Sequence, residues 1–305
     1  MSRDQHLQEI EAQYGIIRDR LRSVCERYST GFYLYGPPGV SKTHTVREFF
    51  KSESVGHKYV RGHLTGSGLF DILEENPDGV IVLDDVSKIF KRDDKGVQVL
   101  LAALGAPPAG SRGRRVSYRT ARGEREVKFT GGVVAISNLG IDEHGNDVIE
   151  ALADRVHIQK FDPTPEQVEA MIYKIAQESP AAVTAEDAVI VADFLVRTCR
   201  ERGIRLTIRM FVEKALPVFR MWKDKRSETH WEVLVRVDVD REFVPQRHAV
   251  RETLRSNSMD ADRRIVLAIC KQFSDPYERA RAWKEQKEAA RRDSTVDHKN
   301  LKDSG

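Results

Sequence analysis

The segment from Gly36 to Thr43, Gly-Pro-Pro-Gly-Val-Ser-Lys-Thr, combines the residue types that bind phosphate groups. It follows the apolar run Phe32–Tyr35 and opens a helical pattern that continues to about Lys51. Backbone N–H groups of such a loop and of the helix N-terminus surround a polyphosphate. Its lysine neutralises the β and γ phosphates, and its threonine hydroxyl ligates Mg²⁺. The sequence therefore predicts an ATP-binding loop made of Gly36, Pro37, Pro38, Gly39, Val40, Ser41, Lys42 and Thr43.

Ser41 stands directly before the lysine, where glycine is usual in a loop of this kind. A small residue fits at this point if its φ is negative, and we expect Ser41 to adopt such a φ. The loop is then competent to bind nucleotide, and the serine affects the rate of hydrolysis and the affinity for the nucleotide.

Two adjacent acids, Asp84 and Asp85, follow the buried strand predicted for Val80–Leu83. In open α/β sheets, ligands bind beyond the carboxyl ends of the strands. Asp84 is predicted to hold the Mg²⁺ shell through water, and Asp85 to orient and activate the attacking water. Glutamate is commoner at the second position, so the shorter Asp85 needs the water slightly closer. The alternative is that both acids only end the strand and begin a turn.

The elements that must position these residues alternate between helices and strands, which favours a parallel sheet flanked by helices. Helical patterns cover about 4–28, 42–51, 67–75 and 96–104, and strand patterns cover 32–35, 59–64, 80–83 and 132–137. The predicted fold class is α/β.

After Asp162 the pattern becomes helical, with segments near 165–178, 185–202 and 207–222. Thr164 and Gln167 form a capping box at the start of the first. The segment 231–240 fits a strand or a helix. The predicted organisation is an N-terminal helix (1–30), a nucleotide-binding domain (31–162), a helical lid (163–222), and a helical extension with a charged, flexible tail (223–305).

The composition excludes several classes of protein. Of 305 residues, 40% are hydrophobic and 32% charged, which is a folding composition, not a disordered one. No apolar run reaches the about 20 residues that cross a bilayer, and the start of the chain has no apolar signal core. We therefore expect a cytoplasmic protein without membrane contact. Cys25, Cys199 and Cys270 have no metal-ligand spacing and are expected to be reduced.

These motifs, in this order, resemble those of an AAA+ ATPase. Gly36–Thr43 is similar to a Walker A motif and Ile81–Asp85 to a Walker B motif. Asn138, which ends Ala135–Asn138, is similar to sensor 1, which lies between the two Walker motifs. Leu152–Arg155 resembles an arginine-finger segment, and Leu206–Arg209 resembles sensor 2.

The resemblance implies Mg²⁺ and ATP as ligands and a homo-oligomer, typically a hexameric ring or spiral. Asn138 and Arg209 then contact the γ-phosphate, and Arg155 reaches the nucleotide of a neighbouring subunit. Each has a plainer alternative. In these alternatives Asn138 only ends a strand, Arg155 only pairs with Asp154 or Glu150, and Arg209 is a solvated helix residue. The choice between Arg205 and Arg209 as sensor 2 stays open.

A basic insert, residues 111–130, precedes the sensor 1 strand. Its alternating apolar residues flank an Ala-Arg-Gly turn, which predicts a β-hairpin. Residues 112–128 hold seven Lys/Arg and two Glu, a net charge of +5, within a chain whose net charge is +3. A basic hairpin of this kind tracks a phosphate backbone without reading sequence. The candidate nucleic-acid contacts, with Tyr118 beside them, are Arg115, Arg119, Arg122, Arg125 and Lys128.

Three functions remain open at this point. The first is an ATP-driven nucleic-acid motor, helicase or loader, acting on DNA or RNA. The second is protein remodelling, as the similarity to MoxR-type ATPases implies, with the C-terminal region as a protein adaptor. The third is an ATP-dependent scaffold with slow hydrolysis, suggested by Ser41 and Asp85. If the hairpin does not bind nucleic acid, its arginines pair with acids of the next subunit.

Overall fold

The computed structural model describes residues 2–85, 94–111, 113–120, 123–140, 151–178 and 183–242. Arg122 of the predicted nucleic-acid contacts lies outside these residues, as does the extension from 243 onward. Within the described part, no helix has both the length and the apolar character needed to cross a membrane.

Eight α-helices and seven strands are described. The helices are α1 (Arg3–Cys25), α2 (Lys42–Ser52), α3 (Gly66–Glu75), α4 (Asp94–Leu104), α5 (Pro165–Gln177), α6 (Ala185–Arg202), α7 (Leu216–Lys223) and α8 (Trp231–Glu242). The strands are β1 (Gly31–Tyr35), β2 (His57–Arg61), β3 (Val80–Asp84), β4 (Arg114–Thr120), β5 (Gly123–Phe129), β6 (Gly132–Ser137) and β7 (His157–Lys160).

Five strands form one parallel sheet in the order β2-β3-β6-β1-β7. The predicted α/β fold class is therefore confirmed. Strands β3 and β6 are buried along their whole length, because helices cover both faces of a parallel sheet. The carboxyl ends of β1, β3 and β6 meet at one edge, so the segments that follow them lie close together.

Strands β4 and β5 form a separate antiparallel hairpin, as the alternating residues of the insert 111–130 predicted. Its inner face buries Val116, Val127 and Phe129 in the core that packs beneath the sheet. The hairpin is thus anchored to the domain by apolar packing on one face.

Helix α1 begins with a capping box, in which the Ser2 and Gln5 side chains each accept a hydrogen bond from the other's backbone N–H. Its predicted apolar side is buried: Ile10, Tyr14, Ile17, Leu21 and Val24. The helix is tied to α5 by an ion pair between Glu11 and Lys174 and by a hydrogen bond from Gln167 to Glu9.

The helical patterns after Asp162 are observed with two refinements. The third segment is a π-helical turn over Met210–Ala215 that leads into α7. The ambiguous segment near 231–240 is helix α8, because Trp231, Val235 and Val239 are buried at a spacing of four residues. The capping box of Thr164 and Gln167 is present at the start of α5.

The chain divides into two compact units. The first comprises Met1–Ala192 and Leu206–Glu213, and the second comprises Asp193–Arg205 and Lys214–Gly305. Among described residues of the second unit, the aromatic rings of Phe194 and Phe219 pack against Trp231.

Gly36 is the position in the phosphate loop where a side chain is least tolerated. Its φ is +153°, and a Cβ there would lie 2.0 Å from the carbonyl oxygen of Phe161. We expect Gly36→Ala to lower the free energy of unfolding by about 2–4 kcal/mol, since backbone must move. Urea unfolding followed by circular dichroism measures this.

The matched control is Gly15→Ala in α1, where a Cβ meets nothing within 4 Å. Alanine at this helical position is expected to stabilise by about 0.5–1 kcal/mol. Equal stability of Gly36→Ala and the unchanged protein would contradict the close approach to Phe161.

Candidate functional site

Lys42, the first residue of α2, is buried at the centre of the site with 6% of its surface exposed. Its Nζ donates to the carbonyl oxygens of Gly36 at 2.7 Å and Pro37 at 2.8 Å. It also donates to Oδ1 of Asn138 at 3.0 Å. The loop thus wraps around its own lysine and, together with Asn138, satisfies all three ammonium donors.

Burial lowers the pKa of Lys42 to about 8, because a charged ammonium loses hydration in the site. The carboxylates of Asp85 and Asp84 oppose this by favouring the charged form, whereas the guanidinium of Arg209 adds to the lowering. A bound polyanion would stabilise the charged form of this lysine, since negatively charged phosphate oxygens would replace neutral carbonyl oxygens as its hydrogen-bond partners.

Asn138 joins the phosphate loop to the acidic strand end. Its Oδ1 accepts from Lys42, and its Nδ2 donates to Oδ1 of Asp85 at 3.3 Å. The geometry follows from the sheet order: β6, which ends just before Asn138, lies between β1 and β3. The structure therefore brings together three residues that the sequence separates by up to 96 positions.

Asp84 is nearly inaccessible, with 1% of its surface exposed. The Thr43 hydroxyl donates to Oδ1 of Asp84 at 3.1 Å, and the Tyr59 hydroxyl donates to Oδ2. Burial, together with the Asp84 carboxylate, raises the pKa of Tyr59 to about 12, so the phenol keeps its proton at neutral pH. Nε of Arg61 lies 4.0 Å from Oδ2 of the same carboxylate.

Sequence reasoning missed Tyr59 and Arg61. Both belong to β2, which pairs with β3 so that Arg61 is opposite Asp84. Only the pairing of the two strands brings these side chains to the acid. The residue pattern of β2 alone does not indicate which strand will pair with it, so it does not predict a contact with Asp84.

The expectation of a negative φ at Ser41 is wrong, since its φ is +75°. A left-handed conformation costs a non-glycine residue about 1–2 kcal/mol. The Ser41 hydroxyl shares a hydrogen bond of 2.6 Å with the Tyr14 hydroxyl of α1. Its carbonyl accepts from the backbone N–H of Thr45 at 2.9 Å, so α2 begins normally.

Asp85 also has a positive φ, +56°, and its side chain is exposed. Its backbone N–H donates to the Ile136 carbonyl at 3.2 Å, which continues the pairing of β3 with β6 past Asp84. The turn directs Asp84 into the core while Asp85 faces the solvent. The two adjacent acids therefore have different surroundings.

Arg209 lies beside the phosphate loop. Its backbone N–H donates to the Gly39 carbonyl at 3.2 Å, and its guanidinium Nε is 3.5 Å from the Glu213 carboxylate. Gly39 has a φ of +80°, and a Cβ there would lie 2.9 Å from Cβ of Thr207. The Thr207–Arg209 segment therefore packs closely on the loop, and Gly39 is needed for that approach.

Arg155 does not contact the loop or the acidic pair within the described residues. Its guanidinium donates to the Leu101 carbonyl in α4, at 2.7 Å. In the part of the chain that the structure describes, the alternative ion pair with Asp154 is not formed, and Glu150 lies outside that part. In a single chain this arginine is held by its own domain.

The hairpin divides the basic residues of the insert between two faces. Arg114 is buried, donates to the Gly131 carbonyl and lies over the ring of Phe129. Arg125 pairs with Asp71 and Glu74 of α3. These pairs are within the chain, so the acids of a next subunit are not needed to neutralise Arg125.

Tyr118 stacks on Phe70 with ring centroids 5.6 Å apart, and this packing leaves its side chain half-buried. On the outer face, Arg115 pairs with Glu126. Arg119 and Lys128 are exposed, and in the described part of the chain neither forms an ion pair. The net charge of +5 in this segment thus overstates the charge that a partner can reach.

The site fits a magnesium nucleotide. Thr43 and Asp84 present a hydroxyl and a carboxylate within hydrogen-bond distance, and oxygen atoms of these kinds are the ligands that Mg²⁺ prefers. Gly36 and Gly39 keep the loop backbone free of side chains, as a phosphate cradle requires. Because β6 carries Asn138 between the loop after β1 and the acids after β3, the strand order brings the loop, the amide and the acids to one edge of the parallel sheet.

No model of a known protein family matches the chain, and no curated protein matches it. Among solved structures, the branch-migration motor RuvB of Thermotoga maritima is similar at 15% identity and a TM-score of 0.45, over 86% of this chain and 75% of that chain. One point mutant of that protein is similar at 13% identity and a TM-score of 0.47, over 88% and 86%.

The lowered pKa of Lys42 gives a pH-dependent prediction. Below about pH 8 the lysine of the free protein is charged, and above it the ammonium loses its proton. Bound phosphates raise this pKa again, so we expect uptake of about half a proton on binding ATP at about pH 8 and almost none at about pH 6.5. Calorimetry in buffers of different ionisation enthalpy measures the uptake. Equal proton uptake at both pH values would contradict the assignment.

Proposed function

We propose that this chain binds Mg²⁺–ATP at the Gly36–Thr43 loop and hydrolyses it. The observation that carries the proposal is the contact chain from Lys42 through Asn138 to Asp85. It joins a cation suited to the β and γ phosphates to a carboxylate suited to activate water. A glycine-rich turn that binds no phosphate would have no need for a contact chain between a lysine and an acid of another strand.

Each residue has a role set by its surroundings. Lys42 exchanges its carbonyl partners for phosphate oxygens, and the loop N–H groups hold the rest of the chain of phosphates. Thr43 and Asp84 hold Mg²⁺, which neutralises charge on the phosphates when bound. Asp85, exposed and in contact with Asn138, orients the attacking water and accepts its proton. Asn138 and Arg209 stabilise the γ-phosphate.

Arg155 is proposed to act on the nucleotide of a neighbouring subunit, which requires an oligomer, with a ring of six as the form that AAA+ resemblance implies. To do so it must leave the Leu101 carbonyl that it contacts in the single chain. Assembly and catalysis are then linked through one side chain.

Asp85→Asn tests the assignment of the general base. An amide cannot accept the proton of water, so we expect kcat to fall by about 10²–10⁴-fold. The Kd for ATP is expected to change by less than about threefold, because Lys42 and Thr43 remain. Phosphate release and fluorescent-nucleotide binding measure the two quantities. Lys42→Ala is expected to abolish binding.

The matched control is Asp78→Asn, an exposed acid in the turn before β3. It removes the same charge at the opposite end of β3, away from the phosphate loop, and is expected to leave both constants unchanged. Turnover by Asp85→Asn at the rate of the unchanged protein would show that another group activates the water.

We propose further that ATP hydrolysis drives work on nucleic acid, DNA or RNA, through the outer face of the β4–β5 hairpin. The supporting observation is that Arg119 and Lys128 are exposed on this face without ion pairs among the described residues. They are cations on neighbouring strands of a hairpin whose inner face packs in the core. Contacts of this kind bind phosphates without reading sequence.

Replacing Arg119 and Lys128 together by alanine is expected to weaken single-stranded DNA binding uniformly across sequences. The slope of log K against log salt is expected to fall by about 1.4, or about 0.7 for each lost phosphate contact. Stimulation of ATP turnover by DNA is expected to fall in parallel. Fluorescence anisotropy in a salt series and a coupled ATPase assay measure these effects.

Arg125→Ala is the control within the same hairpin, since Arg125 is already neutralised by Asp71 and Glu74. It is expected to leave the salt slope unchanged. If neither DNA nor RNA stimulates the unchanged protein, the nucleic-acid proposal is wrong. Protein remodelling through a C-terminal adaptor, or a slow scaffold, would then explain the ATPase.

A further inference from the structure

The phosphate loop contains a strained residue whose side chain is bonded to a different element. Ser41 has a φ of +75°, a conformation that glycine adopts freely and serine does not. Its hydroxyl lies 2.6 Å from the hydroxyl of Tyr14 in the middle of α1. Loop strain and a specific hydrogen bond therefore occur at the same residue.

Tyr14 is well placed to hold this residue still. Only 8% of its surface is exposed, and its ring lies 5.1 Å from that of Phe161, at an interplanar angle of 42°. The Phe161 backbone N–H donates to the carbonyl of Tyr35, the last residue before the loop, at 2.7 Å. Tyr14 thus contacts the loop at Ser41 and packs on the segment that borders its beginning.

Helix α1 gives the tyrosine a fixed base. Its apolar stripe is buried above and below Tyr14, at Ile10 and Ile17, both with 0% exposure. The ion pair of Glu11 with Lys174 and the hydrogen bond of Glu9 with Gln167 fix the same stretch of α1 to α5. Burial also raises the pKa of Tyr14, which keeps the phenol protonated and able to form its hydrogen bond at physiological pH.

From this geometry we infer that Tyr14 is a positioning residue for nucleotide binding: its hydrogen bond holds Ser41 in the left-handed conformation that shapes the phosphate loop. The inference rests on the proposed ATP binding at this loop. Serine can then occupy this position because the hydrogen bond from α1 offsets the unfavourable positive φ. Glycine would adopt the same φ without such a contact. The N-terminal helix becomes part of the nucleotide site without contacting the nucleotide.

Three variants test the inference through the Kd for ATP. Tyr14→Phe and Ser41→Ala each remove the hydrogen bond and keep the unfavourable φ, so each is expected to raise the Kd about fivefold, the equivalent of one net hydrogen bond. The double variant Tyr14→Phe/Ser41→Ala is expected to be no worse than either single variant, since both remove the same contact.

Rescue distinguishes positioning from a loss of folding. The Ser41→Gly variant adopts the positive φ without strain and is expected to bind ATP at least as tightly as the unchanged protein. Adding Tyr14→Phe to Ser41→Gly is then expected to have no effect on the Kd. Tyr28→Phe, at a tyrosine with 83% exposure, is the matched control and is expected to change nothing.

The outcomes separate this inference from the proposed function. If the unchanged protein does not bind ATP, the proposed function is wrong and the inference falls with it. If it binds ATP and Tyr14→Phe binds equally well, only the inference is wrong. The inference is also overturned if Tyr14→Phe raises the Kd equally in the unchanged protein and in the Ser41→Gly variant, because the effect would then not pass through the serine.

Discussion

The site depends on one constraint, the position of β6 between β1 and β3 in the sheet. This order brings Asn138 between the phosphate loop and the acidic strand end, and lets its amide contact Lys42 and Asp85 at once. Without β6 in between, the ammonium and the carboxylate would belong to separate regions. The lowered pKa of Lys42 has another cause, the burial of its ammonium group within the loop, and the nearby carboxylates oppose this lowering.

A single turn gives the two aspartates different surroundings. Asp84 ends a buried strand and is held by donors from Thr43 and Tyr59, as suits the proposed metal ligand. Asp85 has a positive φ and faces the solvent, as suits its proposed contact with the attacking water. A second unfavourable conformation occurs at Ser41, which has a positive φ. Tyr14, on a helix that is buried and bonded to α5, forms a hydrogen bond with the Ser41 hydroxyl.

Much of the fold and part of the site could be predicted from the sequence. Periodicity predicted the strands that carry Thr43's loop and Asp84, since a buried strand needs only a short apolar run. It also predicted the hairpin. Tyr59 and the φ of Ser41 could not be predicted, because both depend on contacts between elements far apart in the chain. The accessible charge of the hairpin was overestimated for the same reason: Arg114 and Arg125 are basic in the sequence and neutralised or buried in the fold.

The sequence by itself determined the class of fold and supplied the prediction of phosphate chemistry, because a phosphate loop, a pair of adjacent acids and the periodicity that flanks them are all local properties of the chain. Only the tertiary structure decided which side chains share the site. Strand order joined Asn138 to Lys42 and Asp85, strand pairing brought Tyr59 to Asp84, and helix packing brought Tyr14 to Ser41. These contacts are set by how buried apolar faces fit together, and that fit is a property of the whole domain, not of any one segment.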